Sequence, residues 1–138
     1  MIKLRRKIAL LFASISLFSL GVGESINATE DLIKIYQGDF VDGKSTGKGM
    51  HTWANGDKYE GDWVNGYRTG KGTLTTSSGM RYVGKFLNNM QTKGTLYFPN
   101  GDKYVGEFVD GNFHGKGTIT LRNGERIKGK WINGNLVN

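Results

Sequence analysis

Beyond an apolar run at the N-terminus, hydrophobic and polar positions alternate along the chain in a repeating rhythm. Tyr36, Tyr59, Tyr82, Tyr104 and Ile127 recur at intervals of 23, 23, 22 and 23 residues. Two positions after each stands a glycine (Gly38, Gly61, Gly84, Gly106, Gly129), and two further on an aromatic ring (Phe40, Trp63, Phe86, Phe108, Trp131). Apolar side chains at every second position share one face of an extended chain, so each segment predicts a β-strand. Turn signals follow as VDG, VNG, LNN, VDG and ING. The second half of each unit alternates likewise: Gly49, His51, Trp53; Gly72, Leu74; Gly94, Leu96, Phe98; Gly117, Ile119, Leu121. ANG, SSG, PNG and RNG close those segments. No stretch after Ala28 has helical periodicity, and a turn after every strand makes neighbours antiparallel. The expected fold is all-β: an elongated, twisted, single-layer antiparallel meander of repeated β-hairpins. About nine short strands spaced about 4.8 Å apart would make it roughly 40 Å long.

Loop length decides which residues face each other. A two-residue loop at Asn55-Gly56 would set His51 opposite Glu60 and throw the two apolar sets onto opposite faces. A three-residue loop, Ala54-Asn55-Gly56, pairs His51 with Tyr59 instead, through a type I turn ending in a left-handed glycine. The same choice pairs Leu74 with Tyr82, Leu96 with Tyr104 and Ile119 with Ile127. It also sets Gly49 against Gly61, Gly72 against Gly84, Gly94 against Gly106 and Gly117 against Gly129. Four repeats agree on this register. Paired glycines leave a trough across the sheet, and aromatic rings can lean over it and shield the backbone. A single sheet with no covering layer is expected to leave part of this face open.

Composition supports the strand reading. Of the 138 residues, 22 are glycine, one is proline and none is cysteine. An interior glycine costs a helix roughly 1 kcal/mol relative to alanine. Without cysteine there are no disulfides and no thiolate metal or redox site. His51 and His114 alone make a poor zinc set.

The formal charge of +7 belongs largely to the N-terminus. Met1 to Lys7 carries four cationic side chains, Ile8 to Gly23 is a run of 16 uncharged residues, and a short polar stretch ends in Ala28. That order reads as a secretory signal peptide over residues 1–28, cleaved after Ala28. The alternative is a membrane anchor formed by residues 8–23, although a spanning helix needs about 20 residues. Residues 29–35 form a short lead-in. Cleavage removes Lys3, Arg5, Arg6 and Lys7 along with Glu24, leaving 15 cationic and 11 anionic side chains, a net charge of +4. The exported chain is expected to be periplasmic or extracellular.

The units resemble MORN repeats (membrane occupation and recognition nexus), whose consensus has the form Y-x-G-x-[FW]-x-x-G-x-x-x-G-x-G. Four full units (36–58, 59–81, 82–103, 104–126) and a half unit (127–138) carry the resemblance over 103 of the 138 residues. The third unit departs from the pattern: Asn89 replaces the turn glycine, and one residue is missing before Lys93. Ile127 stands for tyrosine in the half unit. The resemblance implies a curved single-layer antiparallel sheet and a role in protein interaction, scaffolding or membrane association.

No catalytic constellation interrupts the repeats. The GKG triplets at Gly47, Gly70 and Gly115 lack both the G-x-x-x-x-G-K-[ST] spacing and the helix of a phosphate-binding loop. Ser45, Ser77 and Ser78 fall in loops, His51 reads as a core residue packed on Tyr59, and His114 occupies a column of threonines. Asp39, Asp62 and Glu107 share one repeat column, unlike the differently tuned acid pair of a glycosidase. The chain is expected to be no enzyme and to need no cofactor or metal.

Two binding classes remain. The first is a protein-interaction or scaffold role through the aromatic face, using Tyr36, Phe40, Tyr59, Trp63, Tyr82, Phe86, Tyr104, Phe108 and Trp131, since exposed aromatic patches mark interfaces. The second is binding of anionic membrane lipid or polysaccharide through Lys71, Lys85, Lys93, Lys116 and Lys130 on the polar face. There the register sets Lys48 against Asp62 and Lys93 against Glu107, but Lys71 against Lys85 and Lys116 against Lys130. The row thus turns basic toward the C-terminus; its plainest reading is a solvated ladder of ion pairs worth about 0–1 kcal/mol each. Nucleic acid is not expected, because export removes the usual target and the charge is modest. The open edges of such a sheet offer self-association as a further mode.

Overall fold

The computed structural model describes residues 36–137, which form one antiparallel sheet with its strands in sequence order. The expected leader (1–28), the lead-in (29–35) and Asn138 lie outside the described residues. The strands are β1 (Tyr36–Val41), β2 (Lys44–Thr52), β3 (Lys58–Val64), β4 (Tyr67–Thr75), β5 (Arg81–Leu87), β6 (Met90–Tyr97), β7 (Lys103–Val109), β8 (Asn112–Thr120), β9 (Arg126–Ile132) and β10 (Asn135–Leu136). The meander therefore has ten strands, one more than expected. Its half unit turns back at Asn133-Gly134 and pairs Asn135 with Ile132 and Leu136 with Trp131.

Two kinds of turn alternate. In the loop Ala54-Asn55-Gly56, the Gly56 N–H donates to the Trp53 carbonyl and the Trp53 N–H to the Asp57 carbonyl, both at 2.9 Å, with Gly56 at φ 92°. This three-residue loop sets His51 opposite Tyr59, Leu74 opposite Tyr82, Leu96 opposite Tyr104 and Ile119 opposite Ile127, as its length predicts. The other ends of the strands are joined by two-residue loops such as Asn65-Gly66, at φ 50° and 84°. That is the type I′ turn, whose twist matches its flanking strands. Asn88-Asn89 builds the same turn without glycine, at φ 46° and 71°. Asparagine tolerates this backbone, and here the Asn89 Oδ1 also accepts the Arg68 N–H at 2.9 Å.

The core lies on one face, over the glycine trough. Gly38, Gly49, Gly61, Gly72, Gly84, Gly94, Gly106, Gly117 and Gly129 pair in succession across the sheet. Each tyrosine lies flat over two of them. A Cβ at Gly72 would overlap the Tyr59 ring, and one at Gly61 would stand 2.7 Å from its hydroxyl. Lying flat lets the ring reach the carbonyl three residues on. The hydroxyls of Tyr36, Tyr59, Tyr82 and Tyr104 donate to the carbonyls of Asp39, Asp62, Lys85 and Glu107 at 3.2, 2.9, 2.7 and 2.9 Å.

The second aromatic of each unit stands edge-on to these tyrosines. Phe40, Trp63, Phe86 and Phe108 meet the tyrosine of their own unit at centroid separations of 4.8–5.2 Å. Trp63, Phe86, Phe108 and Trp131 also meet the tyrosine of the preceding unit, at 5.0–5.8 Å. Nine rings thus run unbroken from Phe40 to Trp131, each contact adding about 0.5–1.5 kcal/mol beyond the area it buries. Trp63 and Trp131 further donate their Nε1–H to the carbonyls of Gly49 and Gly117 at 3.0 and 3.1 Å. Within this row the rings cover one another, so the expected partial opening of the face lies beside it, at the half-buried Trp53, Leu74, Leu96, Phe98, Phe113 and Ile119. Tyr59, Tyr82 and Tyr104 are 0–1% exposed, and Trp63, Phe86, Phe108 and Trp131 3–6%.

Burial pushes the hydroxyls of Tyr59 and Tyr82 up to about 12. An unfolded tyrosine ionises near pH 10. The stability these neutral phenols contribute is therefore complete below about pH 10 and is lost as pH rises through about 12. A titration followed by phenolate absorbance should show Tyr59 and Tyr82 ionising at about pH 12, together with loss of the β-sheet circular dichroism signal. Ionisation of both near pH 10 with the sheet intact would contradict this packing.

Candidate binding surfaces

The GKG triplets turn out to be bulges. Between the pairs Gly61–Gly72 and Trp63–Arg68, Asp62 on β3 faces Thr69, Gly70 and Lys71 on β4. Gly70 takes φ 108°, and a Cβ there would lie 2.9 Å from the Asp62 Cβ. Such a bulge removes ladder partners from both strands. The freed Lys71 N–H donates to Asp62 Oδ2 at 3.0 Å, and the Asp62 carbonyl accepts the Tyr59 hydroxyl. The fourth unit repeats this, with the Lys116 N–H donating to Glu107 Oε2 at 2.8 Å. In the third unit the missing residue shortens the bulge: only Thr92 is unmatched between Lys85–Lys93 and Phe86–Gln91. Thr92 Oγ1 donates to the Lys85 carbonyl there, and the column holds lysine instead of a carboxylate.

Those carboxylates are therefore structural acceptors. Of the expected ion-pair ladder, Lys48–Asp62 at 2.6 Å is the one pair among the described residues. The Lys48 ammonium, and after it the Lys71 N–H, hold the Asp62 carboxyl below the usual carboxylate range.

The two sets of expected contact residues differ in placement. Seven of the nine aromatics are core, while Tyr36 and Phe40, at the sheet's first strand, are half-buried. Lys71, Lys85, Lys93, Lys116 and Lys130 are all exposed on the other face. Lys85 stands between Lys71 and Lys93, and Lys116 opposite Lys130, as the register predicts. His51 is half-buried opposite Tyr59, with its ring 4.3 Å from that of Trp53, and burial, then Arg68, lower its pKa. Arg68 itself lies over Trp53, Tyr59 and Phe86 at 5.4–5.7 Å.

Sequence reasoning missed an apolar row on the lysine face. Val41, Val64, Leu87, Val109 and Ile132 are 42–57% exposed, joined by Tyr67 opposite Val64 and Met90 opposite Leu87. The signal was visible: one branched apolar residue immediately precedes every two-residue turn. Among the described residues no group of three or more His, Asp or Glu is placed to hold a metal ion.

Such a sheet, with a covered aromatic spine and rows of exposed apolar and basic side chains recurring from unit to unit, is a repeat architecture. The MORN-repeat family model matches residues 36–58, 59–81, 82–103 and 104–126, and the chain belongs to the MORN-repeat family. No curated protein matches the chain. MORN repeats are in general protein- or membrane-binding modules and are not a known enzyme family.

Removing the bulge acceptor should be felt as stability. Asp62→Ala leaves the Lys71 N–H without its partner and should lower unfolding free energy by about 1–3 kcal/mol. In Asp62 the stabilisation is present above the ordinary carboxylate range and is lost as pH falls through its depressed folded pKa. Denaturant titration of the two proteins at neutral and acid pH checks both points: the gap between them should close in acid.

Proposed function

We propose that the protein is an exported, non-catalytic docking module that binds a protein partner on the lysine-bearing face. The observation that carries this reading is the row Val41, Val64, Leu87, Val109 and Ile132, 42–57% exposed. Large apolar side chains left to water together mark interaction sites, and here they pair across the strands at Val64–Tyr67 and Leu87–Met90. Lys85 and Lys130 stand two positions before Leu87 and Ile132, hence on the same strand face. The complementary partner presents apolar groups bordered by carboxylates. In this reading the buried aromatics are the stiff backing of the docking surface, and Tyr36 and Phe40 are the half-buried members of that set.

Binding of anionic membrane lipid or polysaccharide is the second reading. It is favoured by Lys71, Lys85 and Lys93, set side by side on β4, β5 and β6. Salt separates the two, because exposed charges are screened beyond about 10 Å at 0.1 M ionic strength. Partner binding should survive moderate salt and fall about tenfold or more, roughly 1.4 kcal/mol, in a Val64→Ser, Leu87→Ser double variant with unchanged circular dichroism. Binding to anionic vesicles that fades with salt and vanishes in Lys71→Glu, Lys85→Glu would replace the protein reading with the second.

The export part of the proposal rests on the basic, apolar and small-residue order of residues 1–28. Mass spectrometry of the protein recovered from its host should find a chain beginning at Thr29. A chain that keeps Met1 to Lys7 in the membrane fraction would establish the anchor instead.

A further inference from the structure

We propose that the lysine-bearing face holds a linear acidic polysaccharide, one with a carboxylate on every second sugar, along the strand ends next to the three-residue loops. This stands apart from both readings above and uses another row of side chains, in which Arg81 lies four positions before Lys85.

A cation immediately precedes Tyr59, Tyr82, Tyr104 and Ile127: Lys58, Arg81, Lys103 and Arg126. Side chains alternate along a strand, so these four share the face opposite the tyrosines. Strand pairing joins them through hydroxyl residues. Lys58 faces Thr75, which faces Arg81; Arg81 faces Tyr97, which faces Lys103; Lys103 faces Thr120, which faces Arg126. Cation and hydroxyl thus alternate without a break from β3 to β9. Among the described residues the one ion pair, Lys48–Asp62, lies in another row.

The row is shaped as well as charged. Arg81 lies over the Tyr97 ring, its Cζ 4.4 Å from the centroid. Stacking steadies the planar guanidinium and leaves its N–H edge for a carboxylate. Lys103, Thr120 and Arg126, with Val105 and Thr118 of the next row, line a shallow hollow of about 370 Å³. Val83 and Val105, 37% and 45% exposed, add an apolar strip beside the charged one. A sugar ring has the matching chemistry, with hydroxyls at its edge and C–H groups on its faces.

Spacing selects the ligand. Strands lie about 4.8 Å apart, so successive cations stand about 9.6 Å apart and the row spans about 29 Å. In an extended chain of equatorially linked sugars each ring is turned over relative to the last, and like groups recur every two sugars, a matching interval. A carboxylate on every second sugar then meets a cation, and the neutral sugar between them meets a hydroxyl. An extended acidic peptide repeats its same-face side chains about every 6.6 Å, out of step with the row. Nucleic acid carries a charge about every 3.4 Å along each strand, which is too dense. A membrane surface is planar, whereas neighbouring strands rotate by about 20–25°. A chain jointed at every glycosidic bond follows that twist.

Isothermal titration calorimetry of the full-length protein with a hyaluronate octasaccharide, in which uronate and neutral sugars alternate, tests this. One oligosaccharide should bind per chain. Lys103→Gln, Arg126→Gln should weaken it about tenfold or more with unchanged circular dichroism. Lys71→Gln, Lys85→Gln removes the same charge from the other row and should weaken it several-fold less. An octagalacturonate, with a carboxylate on every sugar, should bind no tighter despite its doubled charge. Absence of octasaccharide binding at millimolar concentration overturns the proposal. Equal losses in the two double variants overturn it too, because attraction to net charge alone would explain them, as does tighter binding of the octagalacturonate. Loss of anionic-vesicle binding in Lys103→Gln, Arg126→Gln would assign the row to lipid and overturn it as well. Should that variant lose its sheet signal, Lys58→Gln, Arg81→Gln carries the same comparison. The lipid reading above rests on Lys71 and Lys85, so its failure leaves these outcomes unchanged.

Discussion

A tyrosine ring can lie flat on this sheet only where both strands beneath it carry glycine, and the rest of the structure follows from that contact. A Cβ at Gly61 or Gly72 would occupy the space that Tyr59 fills. Glycine weakens a strand, because it brings no side chain to pack and loses more backbone freedom on folding. Here the lost packing is replaced by a neighbour's ring, which also shields the hydrogen bonds below it. With the ring flat, its hydroxyl reaches the carbonyl three residues on, and its face and edge are left for the aromatics of two units. Each repeat thus needs the next to complete its core, the nearest-neighbour cohesion of a linear repeat protein.

The bulge is the second half of this arrangement. A tyrosine hydroxyl needs an acceptor at the end of the trough, and a regular ladder would already have used that carbonyl. The bulge at Gly70 frees it and at the same time strands the Lys71 N–H, which the Asp62 side chain takes up. One residue therefore serves both strands, by its carbonyl and its carboxylate. The third unit shows the logic by departure: with one residue fewer, the bulge is smaller and the column holds Lys85. A charged column that looks functional in the sequence is thus first a matter of backbone accounting.

These internal demands leave the molecule two unlike faces. On the aromatic face the row of rings covers itself and gives the sheet stiffness without a second layer, while Trp53, Phe98 and Phe113 beside it stay half-buried. The other face keeps what the core does not need, an apolar row beside the two-residue turns and lysines beside it. Side chains are free to vary there, because a change at Val64 or Lys71 leaves the trough and the ring contacts untouched.

By itself, the sequence determined everything that depends on period and turn length. The 23-residue spacing, the three-residue loop at Ala54-Asn55-Gly56 and the alternation of side chains set which residues share a face and which glycines pair. Those are local rules, and Gly49–Gly61 and Leu74–Tyr82 pair as they require. Tertiary structure alone decided what is covered. Whether Trp63 is open or buried depends on Tyr36 and Tyr59, which reach it from two separate units. Whether Asp62 pairs with solvent, a lysine or a backbone N–H depends on where the bulge shifts the strands. The tenth strand arose the same way, since two residues after Asn133-Gly134 carry too little pattern to announce themselves and pair only because β9 offers them an edge.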